Sequence, residues 1–278
     1  MELKKIQDVG ELENKKILLR VDFNVAVKND RVMESYKIKA VRDTLKYLLN
    51  KDARIALVSH LGRPDGKRDP AFSLEQISES VGKILGVKIV YFNDCIGKKV
   101  SSMLESLRYG EVLLLENVRF YPEEEQNDPA FAVNMAKNFD LYVNDAFSVC
   151  HRDQASVTGV AKLLPSYAGF WLQKEIENLD KIKTDPIHPA VAIIGGAKIE
   201  TKLPAINIFE KSYDYILVGG KIAAEALEQK IKFSPKVVLP EDFAKDGLDI
   251  GPRAVEKYKE IISHAKTIIW NGPMGKFE

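Results

Sequence analysis

The sequence is short of several things that would define a protein class at once. Cysteine occurs twice in 278 residues, as Cys95 and Cys150, far apart and without CxxC spacing, so a disulfide framework is not expected. Charge of one sign is not in excess. Lys and Arg number 41 against 40 Asp and Glu, a net charge of +1. No global field therefore favours nucleic acid or an anionic membrane, and any basic site must be a local concentration. Long apolar runs are missing too: no stretch approaches the roughly 20 residues of a membrane helix. The start Met1-Glu2-Leu3-Lys4-Lys5 lacks the apolar run of a signal peptide. These absences together fit the reducing cytoplasm. No GxxxxGK[ST] loop and no GxGxxG fingerprint occurs, which disfavours P-loop and dinucleotide-binding readings.

What is present describes a globular chain with two cores. Hydrophobic residues make up 45% and charged residues 29%, the balance of a packed soluble fold. The length suits two domains of ordinary size. Apolar runs rich in Val, Ile and Leu recur at Ile17 to Phe23, Ile55 to Ser59, Val87 to Tyr91, Val112 to Leu115 and Leu141 to Val143. They predict buried parallel strands. Segments of helical period lie between them, such as Ile38, Val41, Leu45, Leu48 and Leu49, or the stretch after Ser73, where Ser73 and Gln76 have capping-box spacing. Strands at Val191 to Ile194, Tyr215 to Val218, Val237 to Leu239 and Thr267 to Trp270 continue the alternation. Two α/β units follow. Between them Leu163 to Ile182 carries apolar residues at helical spacing and ends at Thr184-Asp185-Pro186, which predicts a connecting helix and a hinge. The expectation is two Rossmann-like α/β domains with parallel sheets, over residues 1–162 and 186–278, joined by a hinge helix over residues 163–185.

In open parallel sheets ligands bind beyond the carboxyl ends of the strands. There the first unit is cationic. Its strands run into Asp22-Phe23-Asn24, His60-Leu61-Gly62-Arg63, Glu116-Asn117-Val118-Arg119 and Asn144-Asp145-Ala146-Phe147, the last followed by His151-Arg152. Three arginines and two histidines on one edge suit a small polyanionic metabolite, because the guanidinium fork holds carboxylate or phosphate bidentately. A single Arg would read equally well as a surface side chain with a local partner; the set does not. The second unit has glycines at the same places: Gly195-Gly196 with Lys198, Gly219-Gly220, and Gly272-Pro273-Met274-Gly275. Glycine lets backbone approach phosphates and helix starts offer amides to anions, so this is read as a nucleotide edge. The competing reading is three ordinary strand-to-helix turns. An anion edge, a nucleotide edge and a hinge suggest phosphoryl transfer with domain closure.

Other residues take plainer readings. His188 and His264 are expected to be solvated or capping residues, Cys95 and Cys150 buried small residues. The acidic run Glu123-Glu124-Glu125 is expected to be a solvated loop face.

Six motifs then carry a family resemblance: Arg20-Val21-Asp22-Phe23-Asn24-Val25, Ser59-His60-Leu61-Gly62-Arg63-Pro64, Glu116-Asn117-Val118-Arg119, Asn144-Asp145-Ala146-Phe147, Gly195-Gly196-Ala197-Lys198 and Trp270-Asn271-Gly272-Pro273. In this order they resemble phosphoglycerate kinase. The resemblance implies a glycolytic transferase that moves a phosphoryl group reversibly between ATP and the carboxylate of 3-phosphoglycerate, giving 1,3-bisphosphoglycerate and ADP. It implies a cytoplasmic, hinge-bending monomer with no nucleic-acid or membrane partner. The 3-phosphoglycerate site would comprise Asp22, Phe23, Asn24, Lys37, His60, Leu61, Gly62, Arg63, Arg119 and Arg152. The nucleotide site would comprise Gly195, Gly196, Lys198, Lys202, Gly219, Asn271, Pro273 and Glu278, with Mg²⁺ bound alongside ATP or ADP. Lys198 and Lys37 would be catalytic.

The resemblance has departures. Lys37 stands where the family has a catalytic arginine, Lys221 replaces the third glycine of a triplet, and Gln154 matches a frequent family histidine. The stretch from Glu225 to Val237 is shorter than the family's. The family's Gly-rich segment with a metal-binding aspartate and its tail onto the first domain are expected to lie past Glu278, which would leave the second domain incomplete and no metal ligand within the chain. The alternative expectation is therefore a shortened, catalytically silent homologue that binds phosphorylated metabolites or a protein partner.

Overall fold

A computed structural model describes residues 3–28, 31–245 and 247–275. The strands in chain order are β1 (Lys16–Arg20), β2 (Val27–Lys28), β3 (Arg31–Val32), β4 (Arg54–Val58), β5 (Lys88–Phe92), β6 (Glu111–Leu115), β7 (Leu141–Asn144), β8 (Ser166–Ala168), β9 (Ala190–Ile194), β10 (Tyr215–Val218), β11 (Val237–Val238) and β12 (Thr267–Asn271). The nine apolar runs read from the sequence coincide with β1, β4 to β7 and β9 to β12. The chain forms two compact units, residues 1–175 and 176–278.

The first unit is a six-stranded sheet in the order β5-β6-β4-β1-β7-β8, every neighbouring pair parallel. Alternate residues of one strand enter opposite layers, which is why these strands are apolar throughout. Ile17 and Leu19 pack with Ile38, Leu45, Leu48, Ile77 and Val81. Leu18 between them packs with Val100, Leu104, Phe131 and Met135 on the other face. Each buried side chain of this size contributes on the order of 1.5–3 kcal/mol. Because β1 has β4 on one side and β7 on the other, the topology reverses at β1, and a crevice opens beyond its carboxyl end.

The segment from Leu163 onward differs from a single connecting helix. A short helix Val160–Leu163 ends before Pro165, Ser166–Ala168 forms β8 against β7, and the long helix is Phe170–Thr184. Pro165 accounts for the break, since it disfavours helical backbone at Leu164, which is extended. At its far end the helix stops at Thr184, ahead of Pro186, at the predicted boundary.

The second unit holds a four-stranded parallel sheet ordered β11-β10-β9-β12. Ala190, Ala192 and Ile194 of its fully buried central strand β9 face Ile206, Ile216 and Ile222. Val191 and Ile193 face Tyr258. Tyr258 satisfies its hydroxyl on the carbonyls of Val218 and Val238 at 2.7 and 2.8 Å, so a polar tip is buried with partners. Chain order again reverses about the central strand, with β10 and β12 flanking β9.

Candidate substrate and nucleotide edges

Beyond β1 the chain turns through Asp22, Phe23 and Asn24. Phe23 is fully buried and anchors the turn, with its amide donating to Ser59 Oγ at 2.9 Å. This anchoring leaves the two polar neighbours pointing into the crevice region. Asp22 accepts from the Asn24 amide at 3.0 Å and from Ser148 Oγ at 2.6 Å, and pairs with Lys37 Nζ at 2.9 Å. Asn24 Oδ1 accepts from the Gly62 amide at 2.9 Å, and its carbonyl from Lys37 Nζ at 3.0 Å. Asp22, Asn24, Lys37 and Gly62 are thus one hydrogen-bonded group.

Gly62 has φ +62°, and a Cβ there would lie 2.3 Å from the Phe72 ring. Only glycine fits this turn. Leu61 is buried, and Arg63 stands exposed on the loop. Asn117 ties this loop to β6: its Nδ2 donates to the carbonyls of Leu61 and Phe72 at 2.7 and 2.8 Å, while its Oδ1 accepts from the Arg119 amide at 3.0 Å. Arg119 Nη1 in turn donates to the Gly62 carbonyl at 2.8 Å. Glu116 belongs to the scaffold, accepting from Ser73 Oγ, the Leu74 amide and the Tyr91 hydroxyl at 2.8, 2.9 and 2.6 Å. Ser73 Oγ also accepts from the Glu75 amide at the start of helix Glu75–Leu85. Here the predicted capping residue ties a helix start to the site.

The cations converge around His60, which is 4% exposed. Burial pushes its imidazole down to about 2, with Arg20, Arg119, Arg152 and Lys37 acting in the same direction. Burial also lowers the Arg119 guanidinium from its ordinary range, with Glu125 opposing. Three guanidinium nitrogens are buried without a hydrogen-bond partner among the described residues: Arg20 Nε, Arg119 Nη2 and Arg152 Nε. Buried donors left unpaired are costly. A polyanion whose oxygens reach them would remove that cost.

Residues that the sequence does not assign to the site complete this edge. Arg20 is fully buried at the end of β1. Glu124 is fully buried as well, so the expectation of a solvated acidic run fails at this residue, while Glu125 is exposed: Glu124 accepts from Ser156 Oγ and amide at 2.6 and 2.7 Å. Burial raises its carboxyl, opposed by Arg20 and Arg119. Glu125 lies 3.3 Å from Arg119 Nε. Within the run Glu124 is buried and Glu125 half exposed, and both supply counter-charge to Arg119. Asp145, 3% exposed, accepts from the Trp171 and Leu172 amides at 2.8 and 3.1 Å and caps helix Phe170–Thr184. A Cβ on Gly169 would lie 2.3 Å from its Oδ1. A cavity of about 170 Å³ is lined by Asp22, Tyr36, Lys37, Asp145, Phe147 and Trp171, among others. A larger open depression of about 450 Å³ lies at the amino ends of β4 and β6, around Ala53 and Gly110, remote from these cations. Arg20 had a sequence signal, a lone charge inside an apolar run; Glu124 had none.

In the second unit backbone replaces side chains. The Gly195 amide donates to the Asn271 carbonyl at 2.9 Å. A Cβ on Gly195 would lie 1.9 Å from the Pro273 carbonyl oxygen, and one on Gly272, at φ +84°, 2.3 Å from the Gly195 carbonyl oxygen. The ends of β9 and β12 therefore touch through bare backbone. Gly196 takes φ +144°, and its face lies against the Lys202 stem. Lys202 Nζ donates to Asn271 Oδ1 at 2.6 Å, joining two predicted residues. Gly219 faces Met274, and Gly220, at φ +64°, precedes helix Lys221–Glu228. Lys198 is exposed ahead of the turn Ile199–Thr201, whose Ile199 amide is taken by Glu225 at 2.9 Å. Glu278 lies outside the described residues. The donors on this edge are ammonium groups and amides, suited to phosphate oxygens. Among the described residues no three of His, Cys, Asp and Glu lie close enough to share a metal ion.

The phosphoglycerate kinase family pattern matches residues 6–232 and 227–278. A phosphoglycerate kinase of Moorella thermoacetica is 40% identical over 96% of this chain and 80% of its own length. That of Rubrobacter xylanophilus is 39% identical over 100% and 81%. The phosphoglycerate kinase structure from Coxiella burnetii superposes with a TM-score of 0.78 at 29% identity, covering 99% of this chain and 81% of that one. The structure from Pyrococcus horikoshii gives 0.80 at 28%, covering 98% and 81%. The alignment to the Rubrobacter protein runs over 323 positions against 278 residues, so that relative carries segments without counterpart here.

Proposed function

The chain belongs to the phosphoglycerate kinase family, and on that premise we propose that it transfers a phosphoryl group reversibly between ATP and the carboxylate of 3-phosphoglycerate. The products are ADP and 1,3-bisphosphoglycerate. The observation that carries the site assignment is the convergence of Arg20, Arg119, Arg152 and Lys37 about a neutral His60, with buried guanidinium N–H groups lacking protein partners. Such donors hold a small molecule bearing both phosphate and carboxylate.

The acceptor carboxylate is ionised at neutral pH and needs no general base. Catalysis then consists of holding it in line and neutralising charge on the transferring oxygens. Lys37 is held next to Asp22 and Asn24 as a cation at the acceptor side; Lys198, exposed beyond β9, supplies one at the donor side. Gly195, Gly196, Gly219 and Pro273 leave room for phosphates against backbone, with Lys202 and Asn271 as polar partners. When bound with the nucleotide, Mg²⁺ supplies further neutralisation of phosphate charge. The hinge is assigned to helix Phe170–Thr184, which runs from the first unit into the second. No helix among the described residues is long and apolar enough to cross a membrane. Two free cysteines and the glycolytic substrates support a reducing, cytoplasmic setting.

The test is a coupled assay of the 278-residue chain with 3-phosphoglycerate and Mg-ATP, beside calorimetry with 3-phosphoglycerate alone. Turnover is expected. Binding without turnover would support the silent homologue instead, and neither would remove the site assignment.

A further inference from the structure

We propose that Arg20 is a positioning residue that locks His60 in the neutral tautomer protonated on Nε2, so that the anion edge presents an uncharged imidazole donor at every working pH. The proposal deepens the 3-phosphoglycerate reading and rests on it for its functional meaning, but its physical content stands on the free protein.

Arg20 sits at the carboxyl end of β1 with no solvent exposure. Two carbonyls aim its guanidinium: Nη1 donates to Val21 at 2.7 Å and to Val58 at 3.3 Å. Nη2 is left 3.2 Å from His60 Nδ1. A guanidinium has five donors, no acceptor, and no accessible neutral form. His60 Nδ1 must therefore be the acceptor, and a neutral ring must carry its hydrogen on Nε2. A second proton would place an N–H against an N–H. Among the described residues no protein acceptor takes the Nε2 hydrogen, so it remains for a ligand.

The groups around the ring reinforce this. Arg20 comes from β1, Arg119 from the turn after β6, Arg152 from the loop after β7 and Lys37 from helix Tyr36–Ala40, and all four are cationic. The nearby carboxylates are engaged elsewhere: Asp22 with Lys37 and Ser148, Glu124 with Ser156, Glu125 with Arg119. The plainer reading is a histidine that merely fills space. A filler needs no fixed tautomer, whereas here the proton position follows from the donor opposite. A neutral donor adds a hydrogen bond to a bound anion while adding no further charge to a site already crowded with cations.

The experiment is long-range proton–nitrogen correlation NMR on the chain labelled with ¹⁵N-histidine, with His60 assigned by loss of its signal in His60→Gln. His60 is expected to show a protonated Nε2 and an unprotonated Nδ1, with shifts constant from about pH 5.5 to about pH 8.5. A protonated Nδ1, or titration near the ordinary 6.5, would overturn the proposal. Arg20→Gln, whose amide can donate or accept, is expected to give mixed tautomers of a ring that stays neutral, because its burial and the other three cations remain. It should also raise the KM for 3-phosphoglycerate roughly tenfold, the scale of one charge-assisted hydrogen bond. An unchanged tautomer in a folded Arg20→Gln variant would overturn the role of Arg20. If that variant fails to fold, the parent spectrum still decides the tautomer. Failure of the substrate reading shows separately, as no response of the His60 signals to 3-phosphoglycerate while the tautomer stays fixed.

Discussion

Lys37 Nζ lies 2.9 Å from Asp22 Oδ2, so this ammonium is tethered to the turn beyond β1. The same ammonium donates to the Asn24 carbonyl at 3.0 Å. Those bonds occupy a point charge, whereas a guanidinium fork has donors to spare. Lys37→Arg is accordingly expected to raise turnover, since the extra donors can meet charge that develops only in the transition state. Steady-state kinetics with 3-phosphoglycerate and Mg-ATP is the check. Lower turnover in a variant that melts like the parent would mean that the surroundings are fitted to lysine.

Arg63 and Arg119 should separate binding from folding. Arg63 is exposed, while Arg119 is 4% exposed and holds the Gly62 carbonyl at 2.8 Å. Arg63→Ala is expected to weaken 3-phosphoglycerate binding by roughly 1.5–3 kcal/mol, the scale of a charge-assisted hydrogen bond, with the melting temperature unchanged. Arg119→Ala is expected to lower both. Calorimetry beside thermal melting reads both effects; unaltered affinity in both variants would rule out these arginines as ligands.

The Asp145 cap predicts a pH dependence of stability. Burial pushes its carboxyl up to about 6 from the ordinary 3.8, against the hydrogen bonds from Thr44, Leu172 and Trp171. The folded state then holds the proton more tightly than the unfolded chain. Its stabilising contribution is fully present below pH 3.8 and lost as pH rises through about 6. At about 1.4 kcal/mol per pH unit, the loss is on the order of 2–3 kcal/mol. Asp145→Asn keeps an oxygen acceptor for the two helix amides and has no carboxyl to ionise. Urea unfolding of both proteins at about pH 4 and about pH 7 should show the variant gaining on the parent at the higher pH. A constant difference would remove the buried-carboxyl account.

Gly195 tests the nucleotide edge. With the Pro273 carbonyl oxygen 1.9 Å from any Cβ, Gly195→Ala must push β9 and β12 apart where they meet. Overpacking of this kind costs roughly 1–3 kcal/mol, so a lower melting temperature and weaker ATP binding are expected, with 3-phosphoglycerate affinity preserved in the first unit. Calorimetry with each ligand checks it. Unchanged ATP affinity in the presence of the expected melting loss would exclude this backbone contact from the nucleotide site.

Much of the fold was legible because its determinants are local. Leu18 and its neighbours must be apolar on both sides of the chain when a strand is covered on both faces, and that pattern prints directly into the sequence. Short elements escaped for the same reason: β8 and the hairpin of β2 with β3 have two or three residues each, too few to carry a period. Apolar helical spacing extends upstream of Phe170 through a stretch that Pro165 breaks, so sequence alone places the start of this helix too early.

The residue types at the ends of β1, β4, β6, β7, β9 and β12 were determined by the sequence alone, since strand ends and the turns after them are set by nearest neighbours. Which of those residues meet was decided only by tertiary structure. The contact of Arg20 with His60 spans 40 positions and that of Ser156 with Glu124 spans 32. Lys202 reaches Asn271 across 69. Such contacts depend on strand order and on which side of the central strand each element returns. The burial of Glu124 shows the reason most plainly: a carboxylate in an acidic run looks solvated until the fold sets arginines and Ser156 around it, and local sequence holds no record of that company.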